Sequence, residues 1–395
     1  MIYKFPKNFL FGVGCSSHQV EGNNYNSDWW YEENNKPKGQ KFPLEKSGLA
    51  NDFWNRYEED IDLVVELGCD VFRMSVEWSR IEPREGYFDE EVIFHYKKIM
   101  EYARSKKLKI FLTLHHFTIP LWFYEKGGFE NRKSKNYFSN YAIKCVKEFK
   151  DYVSFFATIN EPEVLTAMGY LNGEWVPFKK NFFSAFSVLN NLFECHNLAY
   201  NNIKEKYNVE IGLITNLSCF QSEKQSFLNN LISNTIQNIF INISLFRVRN
   251  NLDFIGLNFY QTFKVSGLKI SNKFEPQDEM GWYINFDSIR ILLNSLKKFN
   301  LPIYITENGL ADSDDRLREW YLKYMIISIH DALVKDKVKV KGYIHWTLTD
   351  NYEWQYGYAK KFGLVEIDRD KKLKRIRRKS FDYYQIICKT KQVIE

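Results

Sequence analysis

The sequence has 395 residues, of which 45% are hydrophobic and 17% aromatic, so the chain can bury a large core. Its 55 basic and 49 acidic side chains leave a formal net charge of +6, which is far below the concentrated positive charge of a dedicated nucleic-acid-binding protein. Length alone does not set the number of domains, because α/β barrels longer than about 250 residues often form one unit.

Short β-rich runs alternate with longer amphipathic stretches along the whole chain. Apolar residues recur near the helical period in the longer stretches. Eight such alternations predict an α/β protein, a single (β/α)8 TIM barrel with elaborated βα loops over residues 1–395. The predicted strands are 9–14, 71–76, 109–114, 153–159, 209–215, 253–258, 302–306 and 340–346. The predicted helices include 53–67, 90–105, 137–150, 184–206, 287–299 and 315–333.

The remaining segments are predicted to be mostly loops. Residues 23–47 and 262–283 are expected to wall a binding site at one end of the barrel. Residues 216–251 are interpreted as a helix with a loop. Basic residues cluster beyond the last strand, where we expect a solvated loop, with weak attraction to a lipid surface as the alternative. The cluster consists of Lys371, Lys372, Lys374, Arg375, Arg377, Arg378 and Lys379.

Cysteine spacing and hydropathy indicate the cellular compartment that is expected for the protein. The six cysteines show no CxxC spacing, so neither a zinc site nor a disulfide framework is predicted. The N-terminal segment lacks an apolar signal core, and no run approaches the roughly 18 apolar residues of a membrane helix. We therefore expect a cytoplasmic protein without stable membrane insertion, and without a metal or another cofactor.

Two carboxylates follow predicted strands at the positions where barrels carry catalytic groups. Glu161 lies in T-I-N-E-P after the fourth strand, and Glu307 lies in I-T-E-N-G after the seventh. Carboxylates at these two strand ends face each other across the barrel mouth, where they can act as acid/base and nucleophile on a glycosidic bond. Either motif alone is also compatible with a turn cap, but the pair at matching strand ends favours catalysis.

These motifs resemble those of glycoside hydrolase family 1, the family of β-glucosidases and β-galactosidases. The resemblance covers nearly the whole chain and is closest in wording to archaeal members. It implies a retaining β-glycosidase that hydrolyses terminal β-D-glucosyl or β-D-galactosyl residues, with fucosyl and mannosyl residues left open, through a covalent glycosyl-enzyme. The other motifs that carry it are F-L-F-G-V-G-C-S-S-H-Q-V-E-G, F-R-M-S-V-E-W-S-R-I-E-P, T-L-H-H-F, D-N-Y-E-W and K-F-G-L-V-E-I-D.

The resemblance also implies roles for individual residues. Glu161 would be the acid/base and Glu307 the nucleophile, which Arg73 and Tyr260 would contact and keep ionised. A metal site at the adjacent histidines 115 and 116 would need a third ligand, and none is evident. The residues expected to bind the sugar are Gln19, His116, Asn160, Asn258, Trp346, Glu353, Trp354 and Phe362.

Departures from the family pattern narrow the range of substrates that the resemblance implies. Of the serine, lysine and tyrosine that hold a substrate phosphate in the phospho-glycosidase branch, only Lys360 matches, and Glu353 and Phe362 favour unphosphorylated sugars. The thioglucosidase branch lacks the acid/base glutamate, so the retained Glu161 predicts O-glycosides. Shortened connections between strands five and seven suggest an open entrance that admits alkyl or aryl glycosides.

Two alternatives stay open at this point. A transglycosidase would use the same site and the same glycosyl-enzyme, and a catalytically silent sugar-binding barrel would keep the fold alone. The partner expected in each case is a small β-glycoside or oligosaccharide, not a nucleic acid. The sequence does not choose among the sugars or the aglycones, and it does not give the oligomeric state.

Overall fold

Eight parallel strands close into a barrel in the computed structural model of the protein, which describes residues 1–35, 45–224, 226–267 and 269–395. Strands that are consecutive in the chain are neighbours around the barrel, and the last strand pairs with the first. All eight predicted strands are confirmed to within two residues at each end. The strands are β1 (Leu10–Gly14), β2 (Val71–Ser75), β3 (Lys109–His115), β4 (Phe155–Asn160), β5 (Ile211–Asn216), β6 (Phe254–Asn258), β7 (Ile303–Asn308) and β8 (Val340–His345).

Long helices connect the strands and cover the outside of the barrel, and all six predicted helices are present. Local signals set several of their ends: the Asp89 carboxylate accepts hydrogen bonds from two amides of the first turn of α2, and Gly68, with φ +75°, ends α1. The helices are α1 (Phe53–Leu67), α2 (Glu90–Ser105), α3 (Ser134–Phe149), α4 (Phe182–Lys204), α5 (Phe227–Leu245), α6 (Asp287–Leu296), α7 (Arg318–Val334) and α8 (Lys379–Thr390). Shorter helices span Ser17–Val20, Asp28–Asn35, Trp78–Ile81, Leu121–Glu125 and Pro162–Thr166.

Aromatic side chains fill the interior of the barrel. The rings of Phe111 in β3 and Phe254 in β6 lie 5.3 Å apart, and those of Phe155 in β4 and Tyr304 in β7 lie 4.9 Å apart. Neither pair comes from neighbouring strands, so both contacts cross the barrel. Leu10, Val71 and further buried residues complete this interior cluster, which is distinct from the larger core between strands and helices.

The predictions for three irregular segments, 23–47, 216–251 and 262–283, are wrong in part. The segment 216–251 contains a strand, Cys219–Ser222, before α5, and the segment 262–283 contains the strands Thr262–Ser266 and Lys269–Ser271. Together these strands form a three-stranded sheet above the barrel. The pairing of Cys219–Ser222 with Thr262–Ser266 joins residues 43 positions apart, and local sequence patterns do not report such pairing. In the predicted loop at 23–47, the helix Asp28–Asn35 takes the place of a loop, and residues 36–44 lie outside the described residues.

The basic cluster near the C-terminus is a hairpin and a helix start instead of a solvated loop. Strands Val365–Asp368 and Lys374–Arg377 pair, and α8 follows directly. Arg375 donates to Asp60 at 2.8 and 3.0 Å, and Arg378 donates to both oxygens of Asp350 at 2.9 Å. These two arginines form ion pairs with the rest of the fold, whereas the other basic side chains of the cluster are exposed, as predicted.

Candidate active site

A cavity of about 390 Å³ opens at the carboxyl ends of the barrel strands. It brings together most of the residues singled out in the sequence, although they are up to 343 positions apart. Three further predicted residues, Arg73, Asn160 and Asn258, are completely buried beneath it. The predicted residues that line the cavity directly are Gln19, His116, Glu161, Tyr260, Glu307, Trp346, Glu353, Trp354 and Phe362.

Glu307, at the end of β7, is held by a cation and a phenol. One carboxylate oxygen accepts a hydrogen bond from the Arg73 guanidinium at 2.5 Å, and the other accepts from the Tyr260 hydroxyl at 2.8 Å. The side chain is only 6% exposed and that of Arg73 only 1%. A cation at one oxygen and a phenol at the other hold this carboxylate in a defined orientation.

Glu161 lies in a different environment at the end of β4. Its backbone adopts a left-handed conformation, with φ +47°, immediately before Pro162 begins a short helix. One carboxyl oxygen accepts from the amides of Asn258 at 2.6 Å and Asn216 at 2.9 Å. Burial, together with the nearby charge of Glu307, raises the pKa of Glu161 well above its usual range. This carboxyl can therefore hold a proton while its neighbour is ionised.

A hydrogen-bonded floor joins the two carboxyl groups. Arg73 uses its second nitrogen to donate to the Asn160 side-chain oxygen at 2.8 Å, and the Asn258 amide also approaches that oxygen, at 3.3 Å. The Asn160 amide nitrogen lies 3.4 Å from the His116 ring. Burial and the Arg73 charge lower the pKa of His116 well below its usual value, so this imidazole is neutral.

Gln19 and Glu353 form a polar group at another wall of the cavity. The Gln19 amide donates to the Tyr352 carbonyl at 2.8 Å and to the Glu353 carboxyl at 3.2 Å, while the Ser16 hydroxyl donates to the Gln19 oxygen at 2.6 Å. Burial, followed by the charge of Glu307, raises the pKa of Glu353 to about 8. Both side chains are thus positioned by the protein and keep hydrogen-bonding capacity toward a ligand.

Flat rings make up much of the remaining surface. The His116 ring is nearly parallel to those of Trp346 and Trp354, at interplanar angles of 12° and 10°. Phe362 packs with Trp346 and contacts the ring of Tyr260 edge-on. Aromatic faces next to convergent hydrogen-bonding groups are the combination that binds the apolar faces and the hydroxyl edges of sugar rings.

Some residues of the cavity were not predicted from the sequence. Asn216, the second donor to Glu161, directly follows the predicted strand 209–215, so the strand-end rule that singled out Asn160 also applied to it. The side of the cavity next to Glu161 is formed by α5, the helix Pro162–Thr166, the π-helix Ala167–Leu171 and the segment that follows it, and these elements gave no comparable signal. Its residues include Glu163, Val164, Met168, Trp175 and Phe240.

The described part of the chain contains no cluster of three or more histidine, cysteine, aspartate or glutamate residues arranged to hold a metal ion. No helix within the same residues is long and apolar enough to cross a bilayer.

Comparison with known proteins agrees with this geometry. A family model described as glycosyl hydrolase family 1 matches residues 1–246 and 240–393. β-Glucosidase A of Thermotoga maritima is 30% identical over 98% of each chain. The chloroplastic galactolipid galactosyltransferase of Arabidopsis thaliana is 32% identical, over 86% of this chain and 58% of that protein. The structure of a β-glycosidase from Pyrococcus horikoshii superposes with a TM-score of 0.91 at 33% identity, covering 100% of this chain and 97% of that one.

The family match spans nearly the whole sequence, and the superposition extends over the complete barrel with its long βα loops. The motifs at the ends of β4 and β7 lie inside the matched residues. The chain therefore belongs to glycosyl hydrolase family 1, as a β-glycosidase.

Proposed function

We propose that the protein hydrolyses O-linked β-glycosides with retention of configuration, using Glu161 and Glu307. The observation that supports this most directly is the contrast between the two carboxyl groups of one cavity. The Glu307 carboxylate is paired with the Arg73 guanidinium and the Tyr260 hydroxyl, whereas burial and the charge of Glu307 raise the pKa of Glu161 well above its usual range. A nucleophile and a proton donor are the two groups that double displacement needs.

In the first step of the proposed reaction, the Glu307 carboxylate attacks the anomeric carbon and forms an ester bond to the sugar. The bond between that carbon and the glycosidic oxygen breaks, and Glu161 gives its proton to the departing oxygen. The loss of the Glu307 charge then lowers the pKa of Glu161, because the repulsion between the two groups has gone. In the second step Glu161 accepts a proton from water, the water oxygen attacks the anomeric carbon, and the Glu307 carboxylate leaves.

Binding of an unphosphorylated glycone is supported by the polar groups of the cavity. Gln19, Glu353 and His116 present donors and acceptors for sugar hydroxyls, and Asn160 lies beside Arg73, where it is suited to the 2-hydroxyl. None of the described residues that line the cavity is lysine or arginine, and the Lys360 ammonium donates to the carbonyl of Glu279. A phosphate dianion would therefore lack a cationic partner among these lining residues.

The transfer of the glycosyl group to an alcohol is a second candidate, since one relative, at 32% identity, is a galactosyltransferase. Hydrolysis and transfer share the glycosyl-enzyme and differ in the acceptor that reaches the anomeric carbon. Product analysis at rising concentrations of an alcohol acceptor separates the two, because a transferase yields the new glycoside even when water is in excess.

The test compares wild type, Glu161→Gln and Glu307→Gln on p-nitrophenyl β-D-glucoside and β-D-galactoside, with the early product followed by NMR. We expect a β-configured first product from wild type and a loss of at least about 10³-fold in Glu307→Gln. Glu161→Gln should lose much less on a 2,4-dinitrophenyl glycoside, whose leaving group needs little protonation. Glu174→Gln is the matched control, because Glu174 also lines the cavity but contacts neither catalytic candidate in this scheme.

An α-configured first product would contradict the retaining mechanism. Full activity in Glu307→Gln would contradict the assignment of the nucleophile, and a wild-type protein inactive on all β-glycosides that binds them would favour the silent sugar-binding barrel.

A further inference from the structure

The outer face of α5 exposes several large apolar side chains to solvent, and the polar residues between them, such as Thr235 and Asn242, are uncharged. Its large side chains recur at positions that fall on one side of the helix, and the opposite side, which includes Ser233, Gln237 and Ile241, is buried. Residues 226–246 contain no charged side chain. A solvent-facing helix surface of about five turns normally carries charged residues, so this face has the composition of a surface that is covered by something apolar. The large apolar residues exposed on this face are Leu228 (62%), Leu231 (52%), Ile239 (54%) and Ile243 (48%), and Phe246 (54%) follows directly after the helix.

The apolar surface continues onto the start of α4. Phe183 and Phe186 are 82% and 58% exposed. They lie about two turns and one turn before Asn190, on the same side of α4, and the Asn190 side chain accepts a hydrogen bond from Arg247 at the end of α5. We call these two phenylalanines, the four exposed residues of α5 named above and Phe246 the apolar patch.

Cations border this patch. Arg247 and Arg249 follow α5, and the Arg249 guanidinium lies 4.0 Å from the centre of the Phe246 ring. On the flank of the helix, the Lys298 ammonium donates to the Asn238 side chain at 3.1 Å. An apolar surface with a cationic border fits a bilayer that contains anionic lipids, since the headgroup phosphates meet the cations while the apolar side chains enter the interface.

The same charges make a second copy of the chain a poorer occupant. Residues 226–246 are all uncharged, so the same face of α5 in another copy would offer the bordering arginines no carboxylate. An anionic bilayer offers these arginines phosphate groups and offers the apolar patch an apolar interior, so both parts of the surface have a partner.

The helix that carries most of the apolar patch also borders the cavity. Phe240, on the flank of α5, lines the cavity together with Val164 and Met168, on the side next to Glu161. We propose that the apolar patch docks on the surface of an anionic lipid bilayer, which places the leaving-group side of the cavity beside the bilayer. Glycosides with a long apolar aglycone are the substrates that this arrangement reaches.

The test is co-sedimentation of the intact protein with vesicles of phosphatidylcholine alone and with vesicles that also contain about 30% phosphatidylglycerol. The variant Ile239→Asn/Phe246→Asn removes two patch residues. Ile386→Asn/Phe94→Asn is the matched control, because these side chains are 55% and 58% exposed on other helices. Hydrolysis of p-nitrophenyl β-D-glucoside checks that each variant is folded, and it separates a failure of docking from a failure of the proposed function.

We expect wild type and control to bind the anionic vesicles, with weaker binding to phosphatidylcholine and to anionic vesicles in high salt. The patch variant should bind about tenfold or more weakly. Equal vesicle binding by the patch variant and the control would overturn the proposal, as would wild type that does not bind anionic vesicles. A dimer in sedimentation velocity that the patch variant abolishes, without vesicle binding by wild type, would identify a second copy as the occupant.

Discussion

The phenol of Tyr260 provides the sharpest test of how the nucleophile is held. Tyr260→Phe removes one hydroxyl and leaves the ring contacts with Phe362 and Trp282 in place. The lost hydrogen bond, 2.8 Å long, runs to a carboxylate oxygen, and bonds to charged groups contribute about 1.5–3 kcal/mol. The Arg73 contact to the other oxygen persists, so the carboxylate stays anionic but is free to rotate about that single partner. At about 1.4 kcal/mol per tenfold change, we expect kcat/KM to fall by a factor of about 10–100.

The assay is steady-state hydrolysis of p-nitrophenyl β-D-glucoside, with burst kinetics to separate formation of the glycosyl-enzyme from its breakdown. Tyr200→Phe is the matched control, because the Tyr200 hydroxyl also donates to a carboxylate, that of Asp253, at 3.0 Å, and is remote from the cavity. The control should keep wild-type kinetics. If kcat/KM of a folded Tyr260→Phe variant stays within about twofold of wild type, the argument that this hydroxyl orients Glu307 is wrong.

Three further predictions follow from the buried charges. Glu307→Gln removes the negative neighbour of Glu161 and should lower the pKa of Glu161, as read by ¹³C NMR of its carboxyl carbon; an unchanged pKa would mean that the two groups do not interact. Burial raises the pKa of Asp28 to about 8, so the folded state holds a proton that the unfolded chain releases near pH 4. The stabilisation that this proton gives is therefore lost as the pH rises from about 4 to 8. Asp28→Asn should flatten the decline of Tm with pH over that range. Arg378→Met leaves the Asp350 carboxylate buried without its cation, which should cost about 3–5 kcal/mol and lower Tm by about 4–6 °C in calorimetry; Asp350→Asn in the same chain should recover part of the loss.

The barrel could be predicted because each of its strands is a short apolar run between punctuating polar residues. The same regularity located the site, since polar residues at strand ends such as Asn160, Glu161 and Glu307 stand out against the apolar runs before them. What local pattern could not supply is pairing between distant segments. The strand Cys219–Ser222 pairs with Thr262–Ser266, and neither run is long or apolar enough to be distinguished from a loop.

The basic segment near the C-terminus shows a second limit of prediction from the sequence. Lys371 and Arg378 look alike in a charge count, yet the first is exposed and the second is buried against Asp350. Their difference depends on a carboxylate 28 positions away that the fold brings into contact. The side of the cavity next to Glu161 was missed for a related reason, because Phe240 and Met168 are apolar residues of helices, and their place beside the cavity depends on how the fold packs those helices.

The aromatic filling of the barrel has a consequence for the order of events in the cavity. Because Phe111, Phe155, Phe254 and Tyr304 occupy the interior beneath the carboxyl groups, the described residues leave no passage through the opposite end of the barrel. Substrate, leaving group, water and free sugar must then share one opening. The aglycone has to depart before water or an alcohol reaches the glycosyl-enzyme, so a slowly departing aglycone would delay the second step. Free sugar would likewise compete with the next substrate for the same path, and inhibition by the product should be competitive.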